Sequence, residues 1–380
     1  MKIVIYDPLF SEVGHFMRYN VFMSQIIAYS GNVSEVVVIG PTGLKNHLDD
    51  KSEKIHFVEL TEDVKNFQTK TIELGFVKKI LVYARAISSY KTIIDGIIKI
   101  EPSIVFFSSQ GNLPFWIALL FSRSFRFIIS AISIRWLHKE KLTDNINWYL
   151  YKKVLNKAFK ISVTEEIYKK YLATKDIHNT FVFPDRVLGE SSFQIPRNEG
   201  QSISLVTLGT ISRIKSPLNF IKSFMEFSRI NSFKYTVIGK VMDDSSSELS
   251  LITKNSENIA FEDRYVRNDE FELLMTEANF VVIPYGEEYT KYATSGVMWD
   301  CFERRIPIIC PDHSIFRFYL SRFRVGYLYN SNNLHEILNG ILDNDSSFYL
   351  NLENEFESLH QAFSRDSLVN MFHNQLNINA

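Results

Sequence analysis

Residues 203–217 decide the fold, and they read Ile-Ser-Leu-Val-Thr-Leu-Gly-Thr-Ile-Ser-Arg-Ile-Lys-Ser-Pro. The apolar run at 203–208 is typical of a parallel strand covered on both faces. Gly209 permits a close backbone turn at its end. Ser216 suits a helix cap and Pro217 the first helical position. The sequence therefore predicts a strand, a loop of small, polar and basic residues, and then a helix.

A second stretch of the same kind follows the apolar run at 280–284. Residues 289–300 read Tyr-Thr-Lys-Tyr-Ala-Thr-Ser-Gly-Val-Met-Trp-Asp. Ser295 is a good helix cap, and Gly296 lets a ligand approach the backbone. Asp300 lies one turn later on the same face, where a carboxylate can accept hydrogen bonds from a ribose diol. The alternative is that Asp300 only complements the helix dipole.

Two basic side chains accompany the first loop. Arg213 offers a bidentate guanidinium, and Lys215 precedes the predicted cap by one residue. A helix start presents free N–H donors and the positive end of a dipole. Two such helix starts, each after a strand of the same sheet and beside these cations, predict a diphosphate-binding site and hence a nucleotide-linked substrate. The alternative is an ordinary strand–helix turn with surface cations.

Short apolar runs alternate with amphipathic segments through most of the 380 residues. This pattern, twice over, predicts an α/β chain of two doubly wound Rossmann-like domains. The predicted parts are a first domain at 1–185, a linker at 186–202, a second domain at 203–349, and a helical segment at 350–380 that crosses back to the first domain. The predicted strands are 2–6, 35–39, 55–60, 104–107, 127–133, 160–163, 203–208, 234–238, 258–261, 280–284, 306–310 and 325–329.

Charge is divided unevenly between the two halves. Residues 1–190 hold 25 Lys and Arg against 19 Asp and Glu, whereas residues 191–380 hold 17 against 24. The positive excess concentrates at 64–100, which reads either as a solvated helix face or as a surface for anionic lipid head groups. Cys301 and Cys310 lack the spacing of metal ligands, and two thiols cannot form a disulfide framework, so we expect a reducing, cytoplasmic location. If the basic segment binds lipid head groups, the protein would be peripheral on the inner face of the plasma membrane.

These motifs resemble the GT-B glycosyltransferases of family 4, whose second domain carries a Gly-Arg-x-x-x-x-Lys loop. Gly209 and Lys215 match that loop. Thr210 occupies the usual Arg place, and Arg213 is the expected substitute. Residues 258–261 with Tyr265 and Glu270 also resemble the family's nucleotide-side segment.

The family's acidic pair, eight residues apart, is matched only in part. Asp300 falls where the second acid stands, seven residues before Pro307. Tyr292 occupies the place of the first acid, and Arg305 replaces the Gly expected two residues before the proline. Asp300 is therefore the acid that the resemblance assigns to the nucleotide.

The first domain carries two further matches. Gly14 and His15 resemble the glycine loop after the first strand, and His138 lies where the family has a polar residue near the transferred sugar. As sequence alone, His138 also reads as a surface residue, and Asp7 as a buried acid without chemistry. The resemblance implies two domains facing a cleft, retention at the anomeric carbon, and neither metal nor cofactor. It assigns catalysis to His15, His138 and Lys215, and donor binding to Gly14, Gly209, Thr210, Arg213, Lys215, Tyr292, Ser295, Gly296 and Asp300.

The sequence thus predicts a hexosyltransferase-type enzyme that uses a UDP- or GDP-sugar. The expected acceptor is a glycan or lipid-linked glycan of a capsule, lipopolysaccharide or exopolysaccharide, with no nucleic-acid partner. Two alternatives stay open: a nucleotide-sugar epimerase of similar architecture, and a nucleotide-sugar-binding partner without catalysis. A nicotinamide dehydrogenase is disfavoured, because Gly14 follows the first strand without a Gly-x-Gly-x-x-Gly cluster.

Overall fold

Two parallel β-sheets, one of seven strands and one of six, form the framework of the protein. A computed structural model describes residues 1–9, 15–48, 52–60, 76–131, 142–184, 186–189, 202–254, 256–290, 295–343 and 346–376. The chain divides into two compact units, Met1–Val187 with Arg365–Ala380 and Leu188–Ser364. The predicted α/β class with two doubly wound sheets is confirmed.

The first unit holds the seven-stranded sheet, with strand order β3-β2-β1-β4-β5-β6-β7. Its strands are β1 Lys2–Tyr6, β2 Glu35–Gly40, β3 Ile55–Glu59, β4 Ile104–Phe107, β5 Phe127–Ala131, β6 Lys160–Val163 and β7 Thr180–Val182. Its helices are α1 His15–Tyr29, α2 Thr42–Lys45, α3 Phe76–Lys99, α4 Leu113–Leu120, α5 Leu142–Lys157, α6 Glu166–Ala173 and α15 Arg365–Leu376.

The second unit holds the six-stranded sheet, with strand order β10-β9-β8-β11-β12-β13. Its strands are β8 Ile203–Leu208, β9 Phe233–Ile238, β10 Ile259–Glu262, β11 Phe280–Val282, β12 Ile308–Pro311 and β13 Gly326–Tyr329. Its helices are α7 Leu218–Met225, α8 Ser246–Thr253, α9 Asn268–Glu277, α10 Glu287–Thr290, α11 Gly296–Glu303, α12 Ser314–Arg322, α13 Leu334–Asp343 and α14 Ser346–Ala362.

The strands form where apolar residues repeat without interruption. All four residues of β4 and all three of β11 are buried, as expected for parallel strands covered on both faces. In the second unit Phe220 and Phe224 of α7 pack edge-on against Tyr235 of β9, with ring centroids 5.3 and 5.7 Å apart. Burying each such aromatic ring contributes about 1.5–3 kcal/mol. This aromatic packing fixes α7, and with it the loop that precedes the helix.

The last helix belongs to the first unit. Phe372 of α15 packs against Phe106, Phe181 and Phe183, with ring centroids 6.1, 6.3 and 5.4 Å away. The segment predicted as one crossing element is therefore divided, since α14 lies in the second unit and α15 in the first. No helix of the described residues is both long and apolar enough to cross a membrane.

All twelve predicted strands are present, with ends displaced by at most two residues in the described chain. β7 was not predicted. The helix expected to have Ser216 as its cap and Pro217 as its first residue begins instead at Leu218. The Ser216 hydroxyl accepts a hydrogen bond from the Leu218 N–H at 3.2 Å. The residues before it form a short 3-10 turn, Arg213–Lys215, which delays the start of α7.

Candidate functional site

The candidate site lies at the carboxyl ends of β8 and β11, where the strand order of the second sheet reverses. Ligands of doubly wound sheets bind at such reversals. The buried Thr207 hydroxyl lies 2.8 Å from both the Tyr235 hydroxyl and the Val282 carbonyl oxygen. It thereby ties β8 to both neighbouring strands just below the loop that starts at Gly209.

Two glycines make a close backbone crossing above these strands. Gly209 has φ +108°, in the left-handed region that favours glycine. A Cβ on Gly239, which follows β9, would collide with the Gly209 carbonyl oxygen. A Cβ on Gly209 would lie 3.7 Å from Val297 in the first turn of α11. The Gly209 turn and the first turn of α11 are therefore neighbours, and Thr210 after Gly209 is exposed.

Arg213 is held by acidic residues of the loop after β9. Its guanidinium donates to both carboxylate oxygens of Asp244, at 2.9 and 3.0 Å. Its backbone N–H donates to Asp243 at 2.5 Å. The Arg213 and Asp244 side chains are 76% and 77% exposed, so the ion pair is open to solvent. The predicted phosphate contact of Arg213 thus competes with an intramolecular partner that sequence reasoning did not find.

Lys215 lies against two tyrosine rings. Its ammonium is 4.9 Å from the ring centroid of Tyr285 and 4.3 Å from that of Tyr289. The two rings meet edge to face, with centroids 4.9 Å apart. Burial raises the pKa of Tyr285, whose hydroxyl is hydrogen-bonded to Ser295. Lys215 is therefore connected through Tyr285 to the start of α11.

The start of α11 is capped as predicted. The buried Ser295 hydroxyl accepts a hydrogen bond from the Met298 N–H at 3.2 Å, which is the geometry of an N-cap. Gly296 is exposed. On one face of the helix Gly296 is exposed and Asp300 is partly buried, while Met298 and Trp299 are fully buried. A helix start of this kind offers backbone N–H donors and the positive end of the helix dipole to an anion.

Asp300 lies one turn into α11 and is partly buried. Its main-chain carbonyl accepts from the Arg304 guanidinium at 3.1 Å, and the same guanidinium binds Glu272 at 2.6 and 3.1 Å. The charge of Asp300 also contributes to the raised pKa of Cys301, after burial as the larger cause. Asp300 therefore places a carboxylate on the face of α11 that begins at Gly296.

Arg305 explains why a glycine was expected at its position. It has φ +56°, just beyond the last turn of α11. Its N–H donates to the Phe302 carbonyl, and the Ile306 N–H donates to the Cys301 carbonyl, at 3.2 and 2.9 Å. This is a Schellman motif, whose left-handed residue is most often glycine. The arginine occupies the strained position and forms an ion pair with Glu357 at 2.6 Å.

The nucleotide-side segment of the resemblance, residues 258–261 with Tyr265 and Glu270, covers most of β10, the loop after it and the first turn of α9. Asp263 accepts from the Val241 N–H, the Lys240 ammonium and the Ser246 hydroxyl, at 3.0, 3.0 and 2.7 Å. These bonds, the Val241 N–H first, lower the pKa of Asp263 to about 2. Tyr265 follows and is 70% exposed. Sequence reasoning missed Asp263, because its partners lie on the loop and helix after the neighbouring strand.

The first unit has a buried polar network at its own strand-order reversal, between β1 and β4. Asp7 accepts from the Leu9 N–H, the Asn20 amide and the Ser109 hydroxyl, at 2.9, 2.9 and 2.6 Å. Asn20 in turn accepts from the Ser108 hydroxyl at 2.6 Å. Burial raises the pKa of Asp7, and these hydrogen bonds oppose the rise. The carboxyl of Asp7 fixes the chain that leaves β1.

Several predicted site residues lie where the structure gives no side chain. Gly14, His138 and Tyr292 are outside the described residues. His15 is the first residue of α1, and only its backbone is described. The roles assigned to these four residues therefore stay predictions. Among the described residues, no group of three or more His, Cys, Asp and Glu side chains is placed to hold a metal ion.

Comparison with solved structures gives the same architecture over the whole chain. A lipopolysaccharide outer core galactosyltransferase, WaaB, is 12% identical with a TM-score of 0.64, covering 99% of both chains. Anabaena Alr3699/HepE in complex with UDP and glucose is 13% identical with a TM-score of 0.64, covering 100% of both. The chain has the GT-B fold.

A sucrose-phosphate synthase from Thermosynechococcus elongatus shows a similar likeness to the chain. It is 14% identical with a TM-score of 0.62, covering 99% of this chain and 98% of that one. No protein-family model and no curated protein matches the sequence. Likeness at this level of identity establishes the GT-B fold, and the chemistry must be argued from the residues of the site.

Proposed function

We propose that this chain is a glycosyltransferase of family 4 that moves a sugar from a nucleotide-diphosphate donor to a glycan or lipid-linked glycan. The observation that carries the proposal is the convergence in the second unit of the Gly209 turn, Lys215 and the capped start of α11. A leaving diphosphate gains negative charge in the transition state. An ammonium and free helix N–H groups stabilise charge at that place.

The other predicted residues would bind the rest of the donor and the acceptor around this diphosphate-binding site. Asp300 would accept hydrogen bonds from the ribose hydroxyls, since its carboxylate lies on the same helix face as Gly296. Tyr265, exposed in the loop after β10, would lie on the nucleotide side, as the family resemblance implies. His15 and His138 would act on the acceptor side. Retention at the anomeric carbon and independence from metal ions are part of the proposal through the family resemblance.

The first donor to test is a UDP-sugar, because Anabaena Alr3699/HepE was solved with UDP and glucose. A thermal-shift panel of UDP, GDP, dTDP and ADP should give a rise in melting temperature for one base, since ligand binding stabilises the native state by mass action. Turnover is then followed as release of the nucleoside diphosphate from the matching nucleotide sugar, with and without a glycan acceptor.

Three outcomes separate this proposal from its alternatives. Acceptor-dependent release supports a transferase. Conversion of the donor sugar to an isomer without acceptor supports an epimerase. Binding of the donor without transfer or slow hydrolysis supports a non-catalytic partner, an alternative that Tyr292 in the place of an acid favours. If none of the four nucleotides binds, the proposed donor site is wrong.

We further propose that the acceptor is presented at an anionic membrane surface. Helix α3 carries Ile80, Leu81 and Tyr83 at 52%, 55% and 38% exposure, together with exposed Arg85 and Lys91. Apolar side chains among exposed cations are the composition of interfacial helices. Residues 64–75 of the predicted basic segment lie outside the described residues, so the proposal rests on α3.

The membrane proposal is tested by flotation with vesicles that contain phosphatidylglycerol. Each basic residue near the surface contributes about 1 kcal/mol at low salt, so replacing both Arg85 and Lys91 by Gln should weaken binding about 30-fold. Lys234→Gln, an exposed charge change in the second unit, is the control. Binding that is absent at low salt, or indifferent to salt, would favour the solvated helix face.

A further inference from the structure

A cavity of about 420 Å³ lies beside α7 at the carboxyl ends of β11, β12 and β13. Its lining includes Asn219 and Lys222 of α7, Tyr285 after β11, His313 after β12, and Tyr329 at the end of β13. This volume lies within the range of small-molecule sites, which is about 300–1,000 Å³. The lining does not include Gly209, Arg213, Ser295 or Asp300, so the cavity is distinct from the proposed diphosphate-binding site.

The formal charge of the cavity wall comes from Lys222. Its ammonium is joined by the His313 imidazole as a further hydrogen-bonding group, whereas none of the described residues that line the cavity is acidic. The Lys222 ammonium has Glu248 as a partner at 3.3 Å, but both side chains are about half exposed and Glu248 lies outside the lining. The carboxylate of Asp312, next to His313, is turned into an ion pair with Arg317 at 2.6 Å. An anion is therefore the charge that this wall accepts.

The neutral part of the wall suits a ring with many hydroxyl groups. Asn219 is exposed, and its carboxamide makes no hydrogen bond with any residue that the structure describes. Ser216 and Ser223 add hydroxyl groups on the same side of α7. Tyr285 and Tyr329 supply aromatic surface, and Pro284 and Pro311 complete an apolar floor. Hydroxyl, amide and aromatic groups in one cavity match the alternating polar and apolar surface of a sugar.

We propose that this cavity binds a small phosphorylated saccharide at a site distinct from the nucleotide. The Lys222 ammonium and the His313 imidazole N–H would bind the phosphate, because both are hydrogen-bond donors of the lining. Asn219 and the serine hydroxyls bond the sugar hydroxyls. Binding at this cavity does not depend on the proposed transfer reaction. The two sites are nevertheless adjacent, since Tyr285 lines the cavity and also carries the Lys215 ammonium on its ring face.

The test is isothermal titration calorimetry of the full chain with glucose 6-phosphate, glucose and inorganic phosphate. The comparison is between the wild type, Lys222→Met and Lys254→Met. Methionine keeps the length of the lysine stem but removes the ammonium. Lys254 is exposed on the chain just after α8 and outside the cavity lining, so its variant is a matched loss of one surface charge. Both substitutions are at exposed positions, and unfolding curves confirm that the variants fold.

Glucose 6-phosphate should bind with one site per chain and more tightly than glucose or phosphate alone. Lys222→Met should weaken it by about 10-fold to 150-fold, as expected for loss of one hydrogen bond to a charged group. Lys254→Met should leave the affinity unchanged. Asn219→Ala should weaken the sugar phosphate and leave inorganic phosphate unchanged, which separates sugar from anion recognition.

Three results would overturn the proposal. The first is no binding of glucose 6-phosphate at millimolar concentration. The second is an equal loss in Lys222→Met and Lys254→Met. The third is displacement of glucose 6-phosphate by a saturating nucleoside diphosphate, which would place it in the nucleotide site. If no nucleotide binds the chain, the Lys222→Met comparison still tests the cavity, so the two proposals fail separately.

Discussion

Replacing Lys215 should separate recognition of the diphosphate from recognition of the nucleoside. We expect Lys215→Met to weaken binding of the matching nucleoside diphosphate strongly, and binding of the nucleoside alone by less than about twofold. The ammonium lies 4.3 and 4.9 Å from two tyrosine ring centroids, beside the capped start of α11. Methionine retains the apolar stem against those rings, so the substitution removes the charge with little loss of packing.

The size of the effect follows from the contact that is lost. A hydrogen bond to a charged group is worth about 1.5–3 kcal/mol, which corresponds to a loss of roughly 10-fold to 150-fold in affinity. The ammonium also contributes about 0.5–1 kcal/mol over each ring at a partly exposed site. The free energy of unfolding should therefore fall by about 1–2 kcal/mol, and urea unfolding measures this change separately from binding.

Calorimetry on the wild type, Lys215→Met and Lys234→Met completes the test. Lys234 is exposed near the amino end of β9, whereas Lys215 follows the carboxyl end of β8, so its variant controls for the loss of one positive charge. An equal loss for the nucleoside diphosphate and the nucleoside would show that Lys215 does not reach the phosphates. An equal effect of the two lysine variants would show a general charge effect and refute the reasoning.

Other predictions concern the acids around the two strand-order reversals and the end of α11. Asp300→Asn should weaken binding of the ribonucleotide more than binding of its 2′-deoxy analogue. If the losses from the substitution and from the missing hydroxyl are additive, Asp300 does not touch the ribose. Burial raises the pKa of Asp7, so the native state keeps a proton that the unfolded chain loses near pH 4. Wild-type stability should thus fall relative to Asp7→Asn as pH rises above about 4, and a constant difference in urea unfolding between pH 4 and 7 would contradict this. At the left-handed position of Arg305, glycine should be at least as stable as arginine, whereas valine should lower the free energy of unfolding by about 1–2 kcal/mol; equal melting temperatures for all three would exclude strain there. Asp244→Asn should tighten diphosphate binding by up to about fivefold in calorimetry, and unchanged affinity would mean that Arg213 does not reach the phosphates.

The strands could be predicted because burial on both faces leaves a strong local pattern. β4 and β11 are apolar throughout and need no knowledge of their neighbours. β7 could not be predicted, because it has only three residues, of which one is buried, and it pairs with β6 alone at the edge of its sheet. The two loops could be predicted for the same local reason, since a glycine after β8 and the Ser295 cap both leave signals within a few residues.

The partners of the site residues could not be predicted, because they depend on distant parts of the chain. Asp7 is bonded by Ser109, which is 102 residues away, and the two meet only because β1 and β4 are adjacent. Lys215 lies on tyrosines that follow β11, and the neighbouring position of β8 and β11 brings them together. A single sequence read by local pattern holds no information on which loops follow neighbouring strands.

Arg213 shows how a partner that is distant in the sequence can compete with a ligand for a site residue. Its ion pair with Asp244 is more than three-quarters exposed on both sides, and exposed pairs contribute only about 0.2–1 kcal/mol. A guanidinium–phosphate contact is worth more, about 1.5–3 kcal/mol. A bound diphosphate can therefore displace Asp244, at a net cost that lowers its affinity a few fold. Pairing with Asp244 is therefore compatible with the phosphate-binding role that the resemblance assigns to Arg213.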